Sequence, residues 1–267
     1  MSSIQPLTPH LGAELRTLPT DPSELQGLLA KFGVLYLPQA HMSPEKQLEL
    51  ASCFGEPITE HHPVFGVADN RPEVSIIIND EDNPPTINVW HTDDTYRPVP
   101  AGTCVLQCIE APPIGGDTLW SSLTAAYDAL SAPMKSLIEP LYAEHRLSLD
   151  SVPLELAKTV IDREIVASHP VVRVIPETGR RCLYVNRHYV HHIEGLSRAE
   201  SRGVLAALFD HAESPDFQVR IRWSPGDVVV WDNRQTQHFA AADYHPARRV
   251  MHRIALRGEK PVAACTA

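Results

Sequence analysis

Trp90-His91-Thr92-Asp93-Asp94-Thr95 is the stretch from which the fold and chemistry of this chain are interpreted. Side chains of an extended segment alternate between its two faces, so His91 and Asp93 are expected on one face and Asp94 on the other. Much farther along the chain, His238 follows a second strand-like run. Two histidines and one carboxylate form the facial triad of non-heme Fe(II) oxygenases, which leaves positions open for a cosubstrate and O2. The pattern therefore predicts a metal site formed by His91, Asp93 and His238.

The predicted last strand carries two arginines that suit the same kind of site. A His-x-Asp tripeptide is weak evidence alone, because the chain contains 14 His and 33 Asp and Glu residues. Arg249, Met251 and Arg253 fall on one face of the strand. On a solvated edge they would need no ligand, but inward-facing arginines carry a desolvation cost unless an anion meets them. The planar guanidinium binds a carboxylate through two parallel hydrogen bonds. Two bound anions, a keto acid cosubstrate and a substrate, are therefore predicted.

Five blocks of sequence strengthen this interpretation. They are Trp90-His91-Thr92-Asp93, Gly115-Gly116-Asp117-Thr118-Leu119-Trp120, Trp231-Asp232-Asn233-Arg234, Thr236-Gln237-His238, and Asp243-Tyr244 followed by Arg248-Arg249-Val250-Met251-His252-Arg253. In their order and spacing they resemble the taurine dioxygenase (TauD/TfdA) family of Fe(II)- and 2-oxoglutarate-dependent enzymes. The resemblance extends over nearly the whole chain and implies that Fe(II), 2-oxoglutarate and O2 are the cofactor and cosubstrates.

Roles for individual residues follow from the resemblance. It implies that His91, Asp93 and His238 bind the iron. It also implies that Thr118 and Arg249 hold the distal carboxylate of 2-oxoglutarate.

The substrate-binding residues implied by the resemblance differ in part from those of taurine dioxygenase. Arg253 matches the arginine that binds the anionic group of the substrate, and His62 matches a substrate-contacting histidine. Phe65 and Ile87 stand where taurine dioxygenase has a tyrosine and an asparagine. A buried polar group without a partner costs on the order of 1 to 3 kcal/mol, so these apolar side chains favour a more apolar substrate tail. Tyr189 is predicted, from its own sequence context, to lie on the pocket wall.

The predicted activity is hydroxylation of a small anionic organic substrate, a sulfonate such as taurine or a relative. Succinate, CO2 and an oxidised or cleaved product would result. An alkyl sulfate ester or a carboxylate as substrate stays open as an alternative within the family. A metal-binding jelly-roll protein without oxygenase activity is a more distant alternative. A zinc hydrolase would use the same three ligands with water in the open position, but it leaves Thr118 and Arg249 unexplained. The resemblance also implies a homo-oligomer, a dimer or a tetramer.

Composition limits the possible partners and location. The chain has 267 residues, a formal net charge of -10 and a sequence pI of about 5.7. This acidic balance argues against nucleic acid or an anionic membrane as the main partner. No secretory signal or membrane-spanning run is recognised, so a cytoplasmic location is expected. The five cysteines are expected to be reduced, with Cys104 and Cys108 packed in the core of a strand rather than binding metal.

The predicted fold is mainly β with flanking α, a double-stranded β-helix or jelly roll. One dioxygenase domain over residues 1–267 is expected, with a possible lid around 146–168. Residues 123–145 are predicted to form two helices broken near Pro133, and 171–186 a β-hairpin. A second metal site at His188 with His191 or His192 is a weaker alternative to a polar loop that faces the pocket.

Overall fold

Strands dominate the computed structural model, which describes residues 4–59, 66–68, 71–147 and 166–264. The described helices are α1 (Pro22–Phe32), α2 (Pro44–Ser52), α3 (Leu123–Ala129), α4 (Ala132–Ile138) and α5 (Arg198–Ala212). The described strands are β1 (Ile4–Pro6), β2 (Ala13–Leu15), β3 (Val34–Leu37), β4 (Gly66–Ala68), β5 (Arg71–Asn79), β6 (Ala101–Glu110), β7 (Thr118–Ser122), β8 (Tyr142–Arg146), β9 (Val166–Pro170), β10 (Val172–Val174), β11 (Arg181–Leu183), β12 (Val190–Ile193), β13 (Gln218–Ile221), β14 (Val228–Asp232), β15 (Thr236–Ala240), β16 (Arg249–Arg257) and β17 (Val262–Ala263).

Two sheets face each other around the functional part of the molecule. The larger sheet has eight strands in the order β1-β2-β3-β14-β6-β16-β5-β4, and the smaller one has three in the order β13-β7-β15. Neighbours far apart in sequence pair antiparallel, such as β14 with β6 and β16 with β5. This arrangement is the one expected for the predicted jelly roll.

Successive side chains of β14 point to opposite faces of the larger sheet, and both faces are buried there. Val228 and Val230 pack with the apolar residues of α1 and α2 on one side. Val229 and Trp231 pack between the two sheets together with Trp120 of β7. Because side chains alternate with period two, one continuous apolar strand serves both cores.

Local sequence signals set the ends of the outer helices. The Asp21 side chain accepts a hydrogen bond from the Ser23 N–H at the start of α1, and Gly33 closes the helix with φ 69°. Ser197 and Glu200 form a capping box at the start of α5. No helix within the described ranges is both long and apolar enough to cross a membrane.

The prediction for residues 123–145 was only partly right. The break is confirmed at Leu130 and Ser131, between α3 and α4, and Pro133 lies in the first turn of α4. The second helix ends at Ile138, and the chain continues as the strand β8, which pairs with β9 and β12. That long-range pairing is absent from any local pattern. The hairpin predicted over 171–186 is confirmed by β10 and β11. Residues 148–165, most of the predicted lid, lie outside the described residues.

Candidate active site

Backbone pairing brings His91 and His238 together. The His91 N–H donates to the His238 carbonyl at 2.9 Å, and the His238 N–H donates to the His91 carbonyl at 2.7 Å. The two ring centroids are 4.1 Å apart. The spacing of the two imidazoles is therefore fixed by an isolated β-bridge between β15 and the loop that follows β5.

Asp93 lies between the two imidazoles. Its Oδ1 is 3.5 Å from His91 Nε2 and 3.9 Å from His238 Nε2. Its Oδ2 accepts a hydrogen bond from Arg253 Nη2 at 2.8 Å, and the Cys104 thiol donates to the same oxygen at 3.5 Å. One carboxylate oxygen thus faces the histidines, and strands of the larger sheet hold the other.

The predicted orientation of Asp94 was wrong. His91 forms only an isolated bridge, and Asp93 and Asp94 belong to a turn rather than to an extended strand. Asp94 has φ 59°, in the left-handed region, so the alternation of side chains stops there. Both carboxylates border the same cavity, and the Asp94 Oδ1 accepts a hydrogen bond from the Tyr96 hydroxyl at 2.9 Å.

The charges of the cluster suit a metal ligand set. Burial raises the pKa of Asp93, but Arg253, followed by His238 and His91, holds that pKa well below its usual range. Burial, together with His91, lowers the pKa of His238 to about 3, against the opposing effect of Asp93. Near neutral pH, Asp93 is therefore a carboxylate and His238 a neutral imidazole, the states that bind metal.

The orientation of His91 leaves one ring nitrogen available. Its Nδ1 is 2.8 Å from the Val89 carbonyl oxygen, which can only accept a hydrogen bond, so Nδ1 carries the proton. The lone pair is then on Nε2, the atom that faces Asp93. Ligand atoms of His91, Asp93 and His238 all lie within 4.8 Å of one another, and no other such group of His, Cys, Asp or Glu occurs in the described ranges. Two imidazole nitrogens and one carboxylate oxygen fit Fe(II).

A cavity of about 410 Å³ adjoins this cluster. Arg249, Arg253 and Thr118 line it beside the three potential ligands. The prediction that Arg249 and Arg253 lie on the inner face of their strand, β16, is thus confirmed. Met251, between them, is fully buried in the core between the sheets.

Arg249 has the properties of a carboxylate-binding group. It is only 6% exposed, and its Nε has no hydrogen-bond partner among the described residues. Its Nη2 makes a long contact of 3.4 Å to Thr118 Oγ1, and its guanidinium lies 5.9 Å from the centre of the Tyr244 ring. Burial lowers the pKa of Arg249, while Tyr244 and Cys108 act in the opposite direction. A buried cation whose Nε–H has no acceptor among the described residues fits an anionic ligand.

Gly116, in the Gly115-Gly116 pair, leaves space for the side chain of Arg249, because glycine has no Cβ. Gly116 has φ 72°, and a Cβ there would lie 2.9 Å from Pro112 Cγ and 3.3 Å from Arg249 Cδ. Its N–H donates to Asp243 Oδ1 at 2.9 Å. The turn predicted from these glycines therefore also serves to let Arg249 pack against the backbone.

Ile87 and Tyr189 both line the cavity, as predicted. Tyr189 is 5% exposed and packs on Tyr96 with ring centroids 5.1 Å apart. Burial raises the pKa of Tyr189 well above its usual value, so it stays a neutral phenol. His62 and Phe65 lie outside the described residues, and their predicted contacts with substrate stay predictions.

Three residues with direct contacts to the site were given no role from sequence. Asn233 holds the backbone of Asp93, and Cys104 contacts the Asp93 carboxylate. The Trp223 Nε1–H donates to Thr118 Oγ1 at 2.9 Å. Asn233 stands inside one of the quoted blocks, which was the only signal for it. Trp223 and Cys104 occur in ordinary strand patterns that indicate packing alone.

The histidine-dense segment around His188 does not form a metal cluster within the described ranges. His191 and His192 are on the strand β12 instead of the helical turn that chelation by them would require. The His188 ring packs near His91, with centroids 5.8 Å apart. The segment therefore borders the site, in agreement with the predicted polar loop.

Comparison with known proteins finds relatives along nearly the whole chain. A family model described as "Taurine catabolism dioxygenase TauD, TfdA family" matches residues 3–255. An alpha-ketoglutarate-dependent sulfate ester dioxygenase from Pseudomonas putida is 34% identical over 277 residues, covering 97% of this chain and 90% of that protein.

Solved structures agree with the sequence comparison. A taurine dioxygenase from Burkholderia xenovorans is 35% identical with a TM-score of 0.84, covering 97% of this chain and 90% of that chain. AAD-2, solved in complex with Mn(II) and N-oxalylglycine, is 27% identical with a TM-score of 0.83, covering 97% of this chain and 99% of that chain. The predicted double-stranded β-helix is confirmed.

Proposed function

The chain belongs to the TauD/TfdA family of 2-oxoglutarate-dependent dioxygenases, and from that premise we propose that it oxidises a small organic sulfonate or sulfate ester with an apolar tail. Membership makes it an oxidoreductase that requires Fe(II), 2-oxoglutarate and O2. One observation carries the proposal. A single cavity contains the cluster of potential metal ligands and two buried arginines, Arg249 and Arg253, beside apolar walls.

In this proposal His91, Asp93 and His238 hold the iron. Their ligand atoms are close enough to bind one ion, and Asp93 and His238 have the protonation states of ligands near neutral pH. When bound, Fe(II) supplies the redox chemistry that couples decarboxylation of 2-oxoglutarate to oxidation of a substrate C–H bond by O2. The zinc hydrolase alternative is disfavoured, because it gives no use to Arg249.

Arg249 and Thr118 are assigned to the distal carboxylate of 2-oxoglutarate. The Nε of Arg249 is buried without an acceptor in the part of the chain that the structure describes, and a carboxylate would supply one. Thr118 Oγ1 accepts from Trp223 Nε1, so its own hydroxyl proton is available to an incoming carboxylate oxygen. Trp223 thereby orients the Thr118 hydroxyl.

Arg253 is assigned to the anionic group of the substrate. Its Nη2 donates to Asp93 Oδ2 at 2.8 Å and contacts Cys104 Sγ at 3.6 Å, and the same side chain lines the cavity. Its positive charge therefore borders both the carboxylate ligand and the space for the substrate anion. This places the anionic end of the substrate near the metal cluster.

The remaining walls select the substrate tail. Ile58, Ile77, Ile87 and Ala255 line the cavity, so the transfer of an alkyl chain from water to these walls is favourable. Taurine has a charged ammonium group in place of such a chain, and burying that charge beside apolar walls is costly. An alkyl sulfonate or alkyl sulfate is thus the preferred class. Oxidation at the carbon next to sulfur or to the ester oxygen would release sulfite or sulfate and leave an aldehyde.

The test is O2-dependent formation of succinate from 2-oxoglutarate by the Fe(II)-loaded enzyme. Pentane-1-sulfonate, pentyl sulfate, pentanoate and taurine form the substrate panel, with sulfite and sulfate measured alongside. A pentyl sulfonate or sulfate is expected to be consumed with stoichiometric succinate, and taurine more slowly. Preference for taurine would refute the apolar-tail assignment, and preference for pentanoate would favour the carboxylate alternative.

Two histidine variants test the metal ligands. His91→Ala is expected to abolish both succinate formation and Mn(II) binding. His191→Ala is the matched control, because His191 is exposed on β12 in the histidine-dense segment, away from the three proposed ligands. Equal losses in both variants would contradict the assignment.

Other sequence-based expectations stay predictions. Light scattering would test the proposed dimer or tetramer, and fractionation of cells would test the cytoplasmic location. The single domain and the lid around 146–168 are likewise proposed, with protection of that segment from protease by substrate as the measurement.

A further inference from the structure

Asn233 grips the backbone of Asp93 from both sides. Its Oδ1 accepts a hydrogen bond from the Asp93 N–H at 2.9 Å, and its Nδ2 donates to the Asp93 carbonyl at 3.0 Å. The same Nδ2 donates to the Ala101 carbonyl at 2.8 Å, at the start of β6. Asn233 is completely buried, so water does not compete for these contacts. The amide thus uses both of its N–H donors and one side of its oxygen.

Asn233 lies where its hydrogen bonds can connect the turn of Asp93 to other parts of the site. Its own N–H donates to the Gly102 carbonyl at 3.0 Å, which anchors it to β6. It also stands between β14 and β15, on the same connection that leads to His238. The turn that carries Asp93 is therefore tied through one side chain to the segment that delivers the other histidine ligand.

Asp93 needs such support because its turn has no strand partner within the described ranges. The bridge between His91 and His238 ends before Asp93, and Asp94 next to it has φ 59°. The Asp93 N–H and C=O are both satisfied by Asn233. Arg253 and Cys104 hold the outer carboxylate oxygen, so backbone and side chain of Asp93 are fixed independently. The hydrogen bonds from Asn233 to the Asp93 backbone therefore limit where Asp93 Oδ1 can lie relative to the two imidazoles.

We infer that Asn233 is a positioning residue that presets Asp93 as a metal ligand in the apoprotein. This inference rests on the proposed assignment of His91, Asp93 and His238 as ligands. Its consequence is a higher metal affinity than the three ligands alone would give, because the turn is ordered before the ion arrives. Residues that orient metal ligands typically change metal affinity about 10- to 100-fold when they are replaced.

Asn233→Asp is the informative substitution, because it keeps the shape of the side chain. An aspartate oxygen can still accept from the Asp93 N–H, but a carboxylate cannot donate to the two carbonyls that Nδ2 now serves. Mn(II) is the probe, since it binds without turnover. Its dissociation constant is measured with the apoprotein by the electron paramagnetic resonance signal of free Mn(II), and thermal unfolding of each apoprotein is recorded in parallel.

Gln107 offers a matched control within the same chain. Its Oε1 accepts from the Met42 N–H at 3.1 Å and its Nε2 donates to the Met42 carbonyl at 2.8 Å, the same double contact with another residue's backbone. Gln107 is 4% exposed and does not line the cavity. Gln107→Glu therefore removes a donation to a backbone carbonyl away from the metal ligands, and it keeps an oxygen that can accept from the Met42 N–H.

The expected result is a dissociation constant for Mn(II) about 10- to 100-fold higher in Asn233→Asp than in the wild type. Gln107→Glu should lower the unfolding temperature of the apoprotein while leaving the dissociation constant within about threefold of the wild type. Wild-type affinity in a folded Asn233→Asp would overturn the inference. So would equal weakening in both variants, because a general loss of stability would then explain it.

Failure of the proposed function gives a different pattern. If the wild type does not bind Mn(II), or if His91→Ala binds it as tightly as the wild type does, the ligand assignment fails and the inference fails with it. Should Asn233→Asp not fold, Asn233→Ser is tested in its place. The serine hydroxyl can replace only some of the hydrogen bonds that Asn233 makes. The dissociation constant for Mn(II) is again expected to rise in this variant and to stay near the wild-type value in Gln107→Glu.

Discussion

Replacing Arg249 with methionine should have opposite effects on stability and on 2-oxoglutarate binding. Arg249 is 6% exposed and forms no ion pair with the described residues. Burial lowers its pKa, with Tyr244 and Cys108 opposing, which indicates a charge that the apoprotein only partly compensates. Arg249→Met removes that charge and keeps much of the apolar volume.

The expected size of both effects follows from the contacts. A buried ion costs several kcal/mol after relaxation, of which the Tyr244 ring recovers up to about 2 kcal/mol. The apoprotein variant should therefore be more stable by about 1 to 3 kcal/mol, which is a rise of roughly 2 to 12 °C in Tm for a protein of this size. Loss of a buried charge pair with the cosubstrate costs about 2 to 5 kcal/mol. The Kd for 2-oxoglutarate should rise about 30- to 4,000-fold.

Thermal unfolding with Mn(II), with and without 2-oxoglutarate, measures both quantities in one assay. The wild type should be stabilised by about 2.7 kcal/mol at a cosubstrate concentration of 100 Kd, and the variant far less at the same concentration. Arg248→Met is the control, because Arg248 is half-exposed and pairs with Glu110 on the surface. A variant that is less stable than wild type and still fully stabilised by 2-oxoglutarate would refute the assignment of Arg249.

Three further substitutions test other parts of the site and core. His145 is fully buried, and burial together with His169 holds its pKa well below the usual value. The unfolded chain then binds a proton below pH of about 6.5 that the folded state excludes. The free energy of unfolding should therefore fall as pH drops through that value, by up to about 1.4 kcal/mol per pH unit, and His145→Phe should flatten this slope. Thr118→Val leaves Trp223 Nε1 without its acceptor. It should cost about 1 to 3 kcal/mol of stability and raise the KM for 2-oxoglutarate. Ile87→Asn should reduce kcat/KM for pentane-1-sulfonate roughly tenfold relative to taurine, because apolar contact is lost.

Each of these expectations has an outcome that contradicts it. For His145→Phe it is an unchanged dependence of the unfolding free energy on pH between 5 and 7 in calorimetry. For Thr118→Val it is an unchanged KM for 2-oxoglutarate in the succinate assay. For Ile87→Asn it is an unchanged ratio of the two kcat/KM values in competition assays.

The sequence was most informative where a local pattern determines the structure. The hairpin over 171–186 was predicted correctly, because two short strands joined by a turn form a pattern among neighbouring residues. Arg249 and Arg253 were placed on one face of β16 because alternation is a property of any strand. The His91–Asp93 pair was found for the same reason, although its backbone is a turn. Both side chains still reach the cluster.

Sequence reasoning failed where long-range contacts decide the conformation. The strand β8 looks helical locally and is held in place by β9 and β12. Asp94 adopts φ 59° in a turn whose backbone is fixed by Asn233, 140 positions from Asp93. No periodicity within the stretch around Asp93 contains that information. The contact of Asn233 with Asp93 forms only when the fold brings the connection between β14 and β15 beside the turn of Asp93.

Charge balance in the cavity links the site to its substrate class. The guanidinium groups of Arg249 and Arg253 and the carboxylate of Asp93 together carry one net positive charge. Of the other two carboxylates that line the cavity, Asp94 has a countercharge in Arg97 at 3.9 Å and Asp82 is exposed to solvent, which screens its charge. A divalent iron and the doubly charged 2-oxoglutarate cancel each other, so the complete cavity still carries one positive charge. A monoanion neutralises it and is favoured over a neutral alcohol, which would leave that charge buried and unpaired. A doubly charged phosphate monoester would overcompensate it. Although the whole chain has a formal net charge of -10, the site therefore attracts a single negative charge on an apolar tail, as an alkyl sulfonate or alkyl sulfate provides.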